Sequence, residues 1–488
     1  MLTPAEELGL SGLGLAGRVR NAFYTLPADV LAALPGRLRA AAIERHLIYL
    51  RDGHPEPVRI FPRPLTVLPD HLAYVQSVSV TILNALKRLP DLYLRDPAVR
   101  EILQLPPDEE AWFHECWSAC QRESDPVFGR LDAVADFTSP MWKDSLRFVE
   151  PNLTGVGGLH LVPTTEGIVA DVVVPELQTL DPGLELAPGH DIRELLMQEM
   201  LDHLEALGRP RRNIAFLEPM QAGSGPDEQD ALARYYHERY GLKILHADPA
   251  ELTEREGVVY LRDDPVELAY RDYEIRDLLA LEAEGVDIGP VRTLFRENRI
   301  VSSITGDFDQ KSCFEVLTDP ALLRTYFHAE ERQVFRRHIL WTRILSDRRT
   351  DLPDGTEGDL LEYVRRERES LVLKPNRAYG GSGVAIGPSL DPREWEEKIA
   401  AALADPERWV VQQLTSLPVS EFPVIGPDGT MVIEPFYVVM GFAASRYGLS
   451  ILARASQKQV VNVAQRGGIC AVMVGKAPER LVGPGPEH

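Results

Sequence analysis

The stretch Leu371–Gly387, LVLKPNRAYGGSGVAIG, restricts the fold of this chain more than any other. An apolar run containing Lys374 leads into a turn with Gly380, Gly381, Ser382 and Gly383, and a second apolar run resumes over Val384 to Ile386. Strand, glycine-rich turn, strand is the reading, because glycines reach left-handed backbone conformations that a Cβ disfavours. A P-loop is excluded, since G-x-x-x-x-G-K-[ST] does not occur and the turn leads into a strand instead of a helix. Two uses fit the residues. Backbone N–H groups in such a turn, with a lysine beside them, can clamp a polyphosphate. The same residues also make a plain hairpin.

The 488 residues leave room for two to four domains or one large composite. A net charge of -22 repels nucleic acid and anionic membrane, so neither is expected as a partner. Cys116, Cys120, Cys313 and Cys470 are too scattered for a disulfide framework, and His114 with Cys116 and Cys120 does not complete a zinc set. No apolar run approaches a membrane span, and the N-terminus lacks the basic start and apolar core of a signal peptide. A cytoplasmic location is the expectation.

Residues 1–125 show helical spacing of apolar positions, with the proline-rich Phe61–Pro69 as a loop between helical runs. From Gly129 the period changes to two: GRLDAVADF and SLRFVEPN each alternate like strands. Arg130 and Asp132 then share one face, as do Glu150 and Asn152. If the strands pair, Asp132, Glu150 and Asn152 converge as hard oxygen ligands suited to Mg2+; a solvated surface hairpin is the other reading. The loop that follows, LTGVGGLH, offers Thr154, Gly157, Gly158 and His160 as substrate contacts, although a histidine in an apolar run also serves as a core residue. A helix is expected after Asp191 as N-cap.

Arg211–Asp248 reads as strand, helix, strand, half of a Rossmann-like layer without G-x-G-x-x-G, so no dinucleotide site is expected at QAGSG, Gln221–Gly225. Arg271, Asp272 and Arg276 either line a cleft or form a solvated face. In NRIVSSITGDFDQKSCFEVLTD a small-residue loop precedes a helix that carries Lys311 near its start, where a bound anion would offset the lysine's clash with the helix dipole. Residues 320–370 read as charged helices suited to a mobile lid. WVVQQL, Trp409–Leu414, is a strand whose Gln412 and Gln413 can offer hydrogen bonds to a purine edge, and FPVI with MVIEPFYVVMGFAA forms a hairpin around GPDG. Arg454 and Arg466 lie near the end of the chain, and PERLVGPGPEH is a tail.

From Gly129 to Val474 these motifs resemble, in order, those of circularly permuted ATP-grasp proteins related to glutathionylspermidine synthetase. GRLDAVAD and FVEPN come first, then the strand-rich middle, GDFDQKS, VLKPNRAYGGSGVAIG and WVVQQ. The resemblance implies an α/β fold of ATP-grasp type, permuted so that the carboxylate strands precede the lysines. It divides the chain into a helical N-terminal region at 1–125, a metal-binding half at 126–210, a Rossmann-like pre-ATP-grasp unit at 211–300, a nucleotide-binding half with a glycine-rich lid at 301–480 and a tail at 481–488. It implies that Asp132, Glu150 and Asn152 hold Mg2+ and that Arg130 faces phosphate or substrate. Lys311 and Lys374 then grip ATP, Gly380 to Gly383 cover the phosphates, and Gln412 to Leu414 form the adenine hinge. The serine-rich substrate loop of glutathionylspermidine synthetase is replaced here by LTGVGGLH, which puts glutathione and spermidine in doubt as substrates.

The implied activity is ATP-dependent ligation of a small-molecule carboxylate to an amine through an acyl phosphate, with ADP and phosphate released. Arg454 or Arg466 would stabilise the acyl phosphate, and Arg271 is a further substrate candidate. The alternatives are an inactive ATP-binding partner protein and a phosphotransferase on the same fold. Self-association into a homo-oligomer is left open.

Overall fold

Arg130 and Asp132 sit on a strand that draws its neighbours from both ends of the chain. In the computed structural model, which describes residues 3–218, 225–425, 430–461 and 467–476, Arg130–Val134 pairs antiparallel with Arg147–Asn152 on one side and with Met431–Ser445 on the other. The sheet continues through Gly448–Ser456 to Gly468–Cys470, and Val419–Ile425 adds to Met431–Ser445. Register sets Arg130 opposite Asn152 and Asp132 opposite Glu150, with an irregularity just after Asp132. The alternation of FYVVMGF and ILARA suits this sheet, because β-branched and aromatic side chains pack well on a pleated, half-buried surface.

A second, four-stranded antiparallel sheet runs Thr342–Ile344, Trp409–Gln413, Leu371–Pro375, Ala385–Ile386. Its far side has a core of its own, in which Trp395 and Ile399 of the helix Pro392–Ala404 pack with Leu371, Leu373, Trp409 and Val411. That helix begins where Asp391 accepts from the N–H groups of Arg393 and Glu394, a capping box that satisfies donors the helix itself cannot. The strands Thr342–Ile344, Arg349–Asp351 and Glu357–Asp359 occupy the stretch expected to form a helical lid. The helical reading holds only for Pro320–Tyr326, Ala329–His338 and Leu360–Arg366, and Phe335, His338 and Arg343 are buried, so this stretch is packed structure.

The third layer is the parallel sheet Ile300–Val301, Leu268–Arg271, Ile214–Leu217, Ile244–Ala247. Strand Ile214–Leu217, helix Gln229–Tyr240 and strand Ile244–Ala247 form the expected half-Rossmann unit, and Gly241 closes the helix at φ +65, in the left-handed region where glycine carries no Cβ penalty. Most of QAGSG and the tail lie outside the described residues. The N-terminal helices back the central sheet: Pro69–Leu86 packs on its two long strands, and Leu65–Val67 pairs with Val472–Gly475. Asp191 caps Ile192–Ala206 by accepting from the N–H of Arg193, as expected. Among the described residues no helix is long and apolar enough to cross a membrane.

Candidate functional site

The four-stranded sheet and the central sheet face each other across a cavity of about 650 Å³. Period-two geometry explains its walls. Val372 and Lys374 project from one strand, Asp132 and Val134 from another, and Tyr437 and Val439 from a third, each pair two residues apart and so on one face. Glu150, Arg454, Gly381, Gln412, Gln413 and Leu414 complete the part of the lining that carries candidate chemistry. The volume suits a small-molecule ligand.

Asp132 is the electrostatic centre. Its Oδ1 accepts from Nε of Arg130 at 2.8 Å and its Oδ2 from Nη2 of Arg454 at 2.7 Å, and its residue exposure is 4%. Burial works against ionisation, but the charges and hydrogen bonds of Arg130 and Arg454 overrule it and hold the carboxyl down at about 2. Glu150 faces Lys311, whose Nζ lies 3.5 Å from Oε2.

Lys374 is 9% exposed, and its Nζ donates to Oε1 of Gln412 at 2.7 Å. Burial pushes its pKa down to about 8, aided by Lys311 and opposed by Glu150 and Asp132. Gln412 spends its amide group inward: Nε2 donates to Oγ1 of Thr342 at 2.9 Å and to the carbonyl of Val149 at 3.1 Å. Its side chain therefore orients Lys374 instead of facing a purine, whereas Gln413 is exposed. Lys311 also departs from expectation. It precedes the four-residue helix Cys313–Val316 and lies in a turn, because its backbone N–H is drawn to the carbonyl of Asn376 at 3.0 Å. Its Nζ donates to the carbonyl of Ala378 at 2.6 Å, which ties it to the glycine-rich loop.

Gly380, Gly381 and Gly383 have φ of +69, +75 and +73, so the loop needs glycine at each. The loop also divides two cavities. Gly381 lines the first, while Tyr379 and Gly380 line a second of about 470 Å³. Arg454 borders both, and Arg130, Asn152, Thr154, Gly157 and Gly158 line only the second. Nη1 of Arg130 donates to the carbonyl of Gly157 at 2.9 Å, which fixes the loop after the carboxylate strands.

Other candidates lie elsewhere. His160 is buried, with Nε2 2.9 Å from the carbonyl of Arg45, and burial lowers its pKa, as for a core histidine. Arg271 is fully buried and gives its donors to the carbonyls of Ser302, Tyr273 and Ser303 and to Oδ2 of Asp307, so it braces the fold. Arg466 lies outside the described residues. Sequence reasoning passed over Tyr437 and Val439, although their alternation on an apolar strand was a usable signal, and it passed over Glu274 and Asp277 of the second cavity. These last two carried no signal, being exposed-looking acids at the start of a charged helix.

The charges suit a polyphosphate: Arg130, Arg454, Lys311 and Lys374 gather against Asp132 and Glu150. Among the described residues no group of three or more His, Cys, Asp or Glu side chains could hold a metal ion. The set Asp132, Glu150 and Asn152 has two carboxylates and an amide, with two guanidiniums and an ammonium close by. Asp132 and Glu150 line the first cavity and suit Mg2+ when phosphate oxygens share the coordination, whereas Asn152 lines only the second, so the three expected ligands are not brought to one point.

No protein-family model matches the chain. Two Frankia proteins that carry the provisional name glutamate–cysteine ligase are similar to a short stretch. The ligase 2-2 of Frankia casuarinae is 42% identical and the ligase 2-3 of Frankia alni 39% identical, each over 69 residues, or 14% of this chain. The chain spans 8% of the length of these curated relatives. Among solved structures, a glutathione synthetase-like effector from Globodera pallida, in its apo form, aligns with 92% of this chain and 98% of its own, at a TM-score of 0.58 and 11% identity. What the chain shares with the Globodera effector, over nearly its whole length, is the fold.

Proposed function

We propose that the protein is an ATP-dependent carboxylate–amine ligase of ATP-grasp type, with a circularly permuted order of elements. The observation that carries this reading is the convergence of Lys374, Arg454, Asp132 and Glu150 on one cavity between two sheets, closed at one edge by a loop of left-handed glycines. The order of strands supports the permutation, since Arg130–Val134 from early in the chain is built into the sheet of Met431–Ser445. The fold shared with a glutathione synthetase-like protein and the ligase names of the Frankia proteins are in keeping with it.

In this reading the adenine lies near Gln413 and Leu414, and the phosphates lie against Lys374, Lys311 and the glycine-rich loop. Bound Mg2+, held by Asp132 and Glu150 together with the phosphates, would offset negative charge on the phosphoryl group. A carboxylate substrate enters through the second cavity and meets Arg130 and Arg454, which hold its oxygen toward the nucleotide. Phosphoryl transfer gives an acyl phosphate and ADP, and attack by an amine releases phosphate and forms the amide. The loop Tyr379–Gly383 excludes water, which would otherwise hydrolyse the acyl phosphate.

The test is ADP release with ATP and Mg2+ across a panel of carboxylates and amines that includes L-glutamate and L-cysteine. Release requiring both a carboxylate and an amine supports the ligase. Release with a carboxylate alone and a stable phosphorylated product points to a phosphotransferase, and tight ATP binding with no turnover across the panel to a binding protein.

A further inference from the structure

The second cavity has walls of opposite sign. Arg130 and Arg454 stand at the end that touches the nucleotide cavity, while Asp272, Glu274 and Asp277 line it elsewhere together with Arg276, whose charge is taken by Glu274. The acids come from the carboxyl end of the parallel strand Leu268–Arg271 and from the helix that follows. This strand and Ile214–Leu217 are neighbours in the sheet, and the next strand of this sheet in sequence after Ile214–Leu217, namely Ile244–Ala247, lies on the other side. The chain order thus reverses at the crevice where Asp272 stands, the place where open parallel sheets bind ligands.

The partners of these acids differ. Glu274 is paired with Nε of Arg276 at 2.6 Å. Asp277 accepts from the backbone N–H of Glu274, and among the described residues neither Asp277 nor Asp272 has a cation within ion-pair distance. Asp272 is open to the cavity, yet desolvation, followed by the charges of Glu218 and Asp277, raises its carboxyl to about 7. The local backbone makes room for it: Gly155 has φ +59, and a Cβ there would stand 1.7 Å from Oδ1 of Asp272. Among the described residues, two polar atoms on the walls also lack partners. Arg454 is 7% exposed and its Nε is buried without a hydrogen bond, as is Oγ1 of Thr154.

We infer that the second cavity binds an amine in its ammonium form, with Asp272 and Asp277 as the recognising carboxylates and the arginine end reserved for an anionic group. The acids line a cavity without converging on a point, since among the described residues no group of three or more could hold a metal ion. That arrangement suits an extended organic cation better than an inorganic one. Identifying this amine with the nucleophile of the ligation rests on the function proposed above. The binding site itself does not.

The test is ligand-observed NMR titration of the full chain, without nucleotide, using n-butylammonium as the probe and butyrate and 1-butanol as controls at pH 8. Saturable binding of n-butylammonium is expected, weakened at least tenfold by Asp272→Asn and about threefold by Asp277→Asn, with 1-butanol showing none. Thermal melting of each variant checks its folding. Equal affinity in wild type and both folded variants, or binding of 1-butanol as tight as that of n-butylammonium, overturns the assignment. Ammonium binding without any ligation would sink the proposed function and leave this site standing. Ligation by a protein whose n-butylammonium affinity is unchanged in both variants would do the reverse.

Discussion

Arg454 donates from Nη2 to Oδ2 of Asp132 at 2.7 Å, joining residues 322 positions apart and placing one guanidinium on the border of both cavities. Arg130 holds the other carboxylate oxygen. Two buried cations thus share one anion, and the group left over is positive, which is the sign a phosphate or carboxylate ligand answers.

Removing that anion has two expected effects. Asp132→Ala leaves both guanidiniums without their carboxylate, a loss expected to destabilise the fold by about 3–5 kcal/mol, as for breaking a buried pair from one side. It also removes a proposed ligand to Mg2+, so Mg-dependent turnover should fall at least a hundredfold. Asp132→Asn keeps the shape and separates the effects: a smaller drop in melting temperature with the same loss of turnover. Activity retained in Asp132→Asn, or in Glu150→Ala, removes the metal assignment.

Lys374 links the nucleotide to pH. Its pKa is lowered to about 8, with burial as the largest cause, so in the free protein its charge is present below that pH and is lost above it. A bound triphosphate favours the charged form. ATP affinity should therefore decline as pH rises through 8, with proton uptake on binding that calorimetry in buffers of different ionisation enthalpy can read. Lys374→Met should abolish that uptake and weaken ATP by about 1.5–3 kcal/mol, the range for a hydrogen bond to a charged group. An unchanged ATP Kd in this variant would exclude the lysine from the phosphate site.

The glycine-rich loop gives a third expectation. At Gly383, φ is +73 and a Cβ would lie 2.8 Å from Cγ of Pro375, so Gly383→Ala is strained twice over. The residue is exposed, so the strain should distort the loop more than unfold the protein. KM for ATP should rise about tenfold or more while the melting temperature moves by only a few degrees. If KM is unchanged while the protein is folded, the loop does not cover the phosphates.

Local pattern carried much of this architecture. Strand alternation placed Arg130 with Asp132 and Glu150 with Asn152 on pairing strands, and the capping residue Asp191 starts a helix where its sequence context indicates. Long-range pairing was not legible. Nothing near Asp132 says that its other neighbour is Gly441, or that Arg454 will reach it, because sheet partners are chosen by packing across the whole chain. Lys311 shows the same limit. Its surroundings read as a helix start, but Asn376 takes its N–H, and the oxygen of that amide side chain accepts from Ser312, so a tertiary contact replaces the local one. Gln412, at the end of a strand, is expected from sequence to meet a purine edge, yet its amide bonds to Thr342 and Val149.

Stability should respond to pH through acids that the site does not use. Glu166 is buried and accepts from the N–H of Gly189, and burial raises its carboxyl to about 8; burial likewise raises Glu228 to about 7. In the unfolded chain both ionise near pH 4.5. Between that pH and 7 to 8 the folded state holds protons on these two acids that the unfolded state has released, so their contribution to stability falls as pH rises across this window. Asp132 acts in the opposite sense only at low pH. Its lowered pKa contributes stability above about pH 4 that is lost as pH drops toward 2. The melting temperature should therefore be higher near pH 5.5 than near pH 8.5. Glu166→Gln, which keeps an acceptor for Gly189 and cannot ionise, should flatten the decline by raising the value at pH 8.5 more than at pH 5.5. A melting temperature that rises from pH 5.5 to 8.5, or a Glu166→Gln profile parallel to wild type, would contradict a proton held on Glu166 in the folded protein.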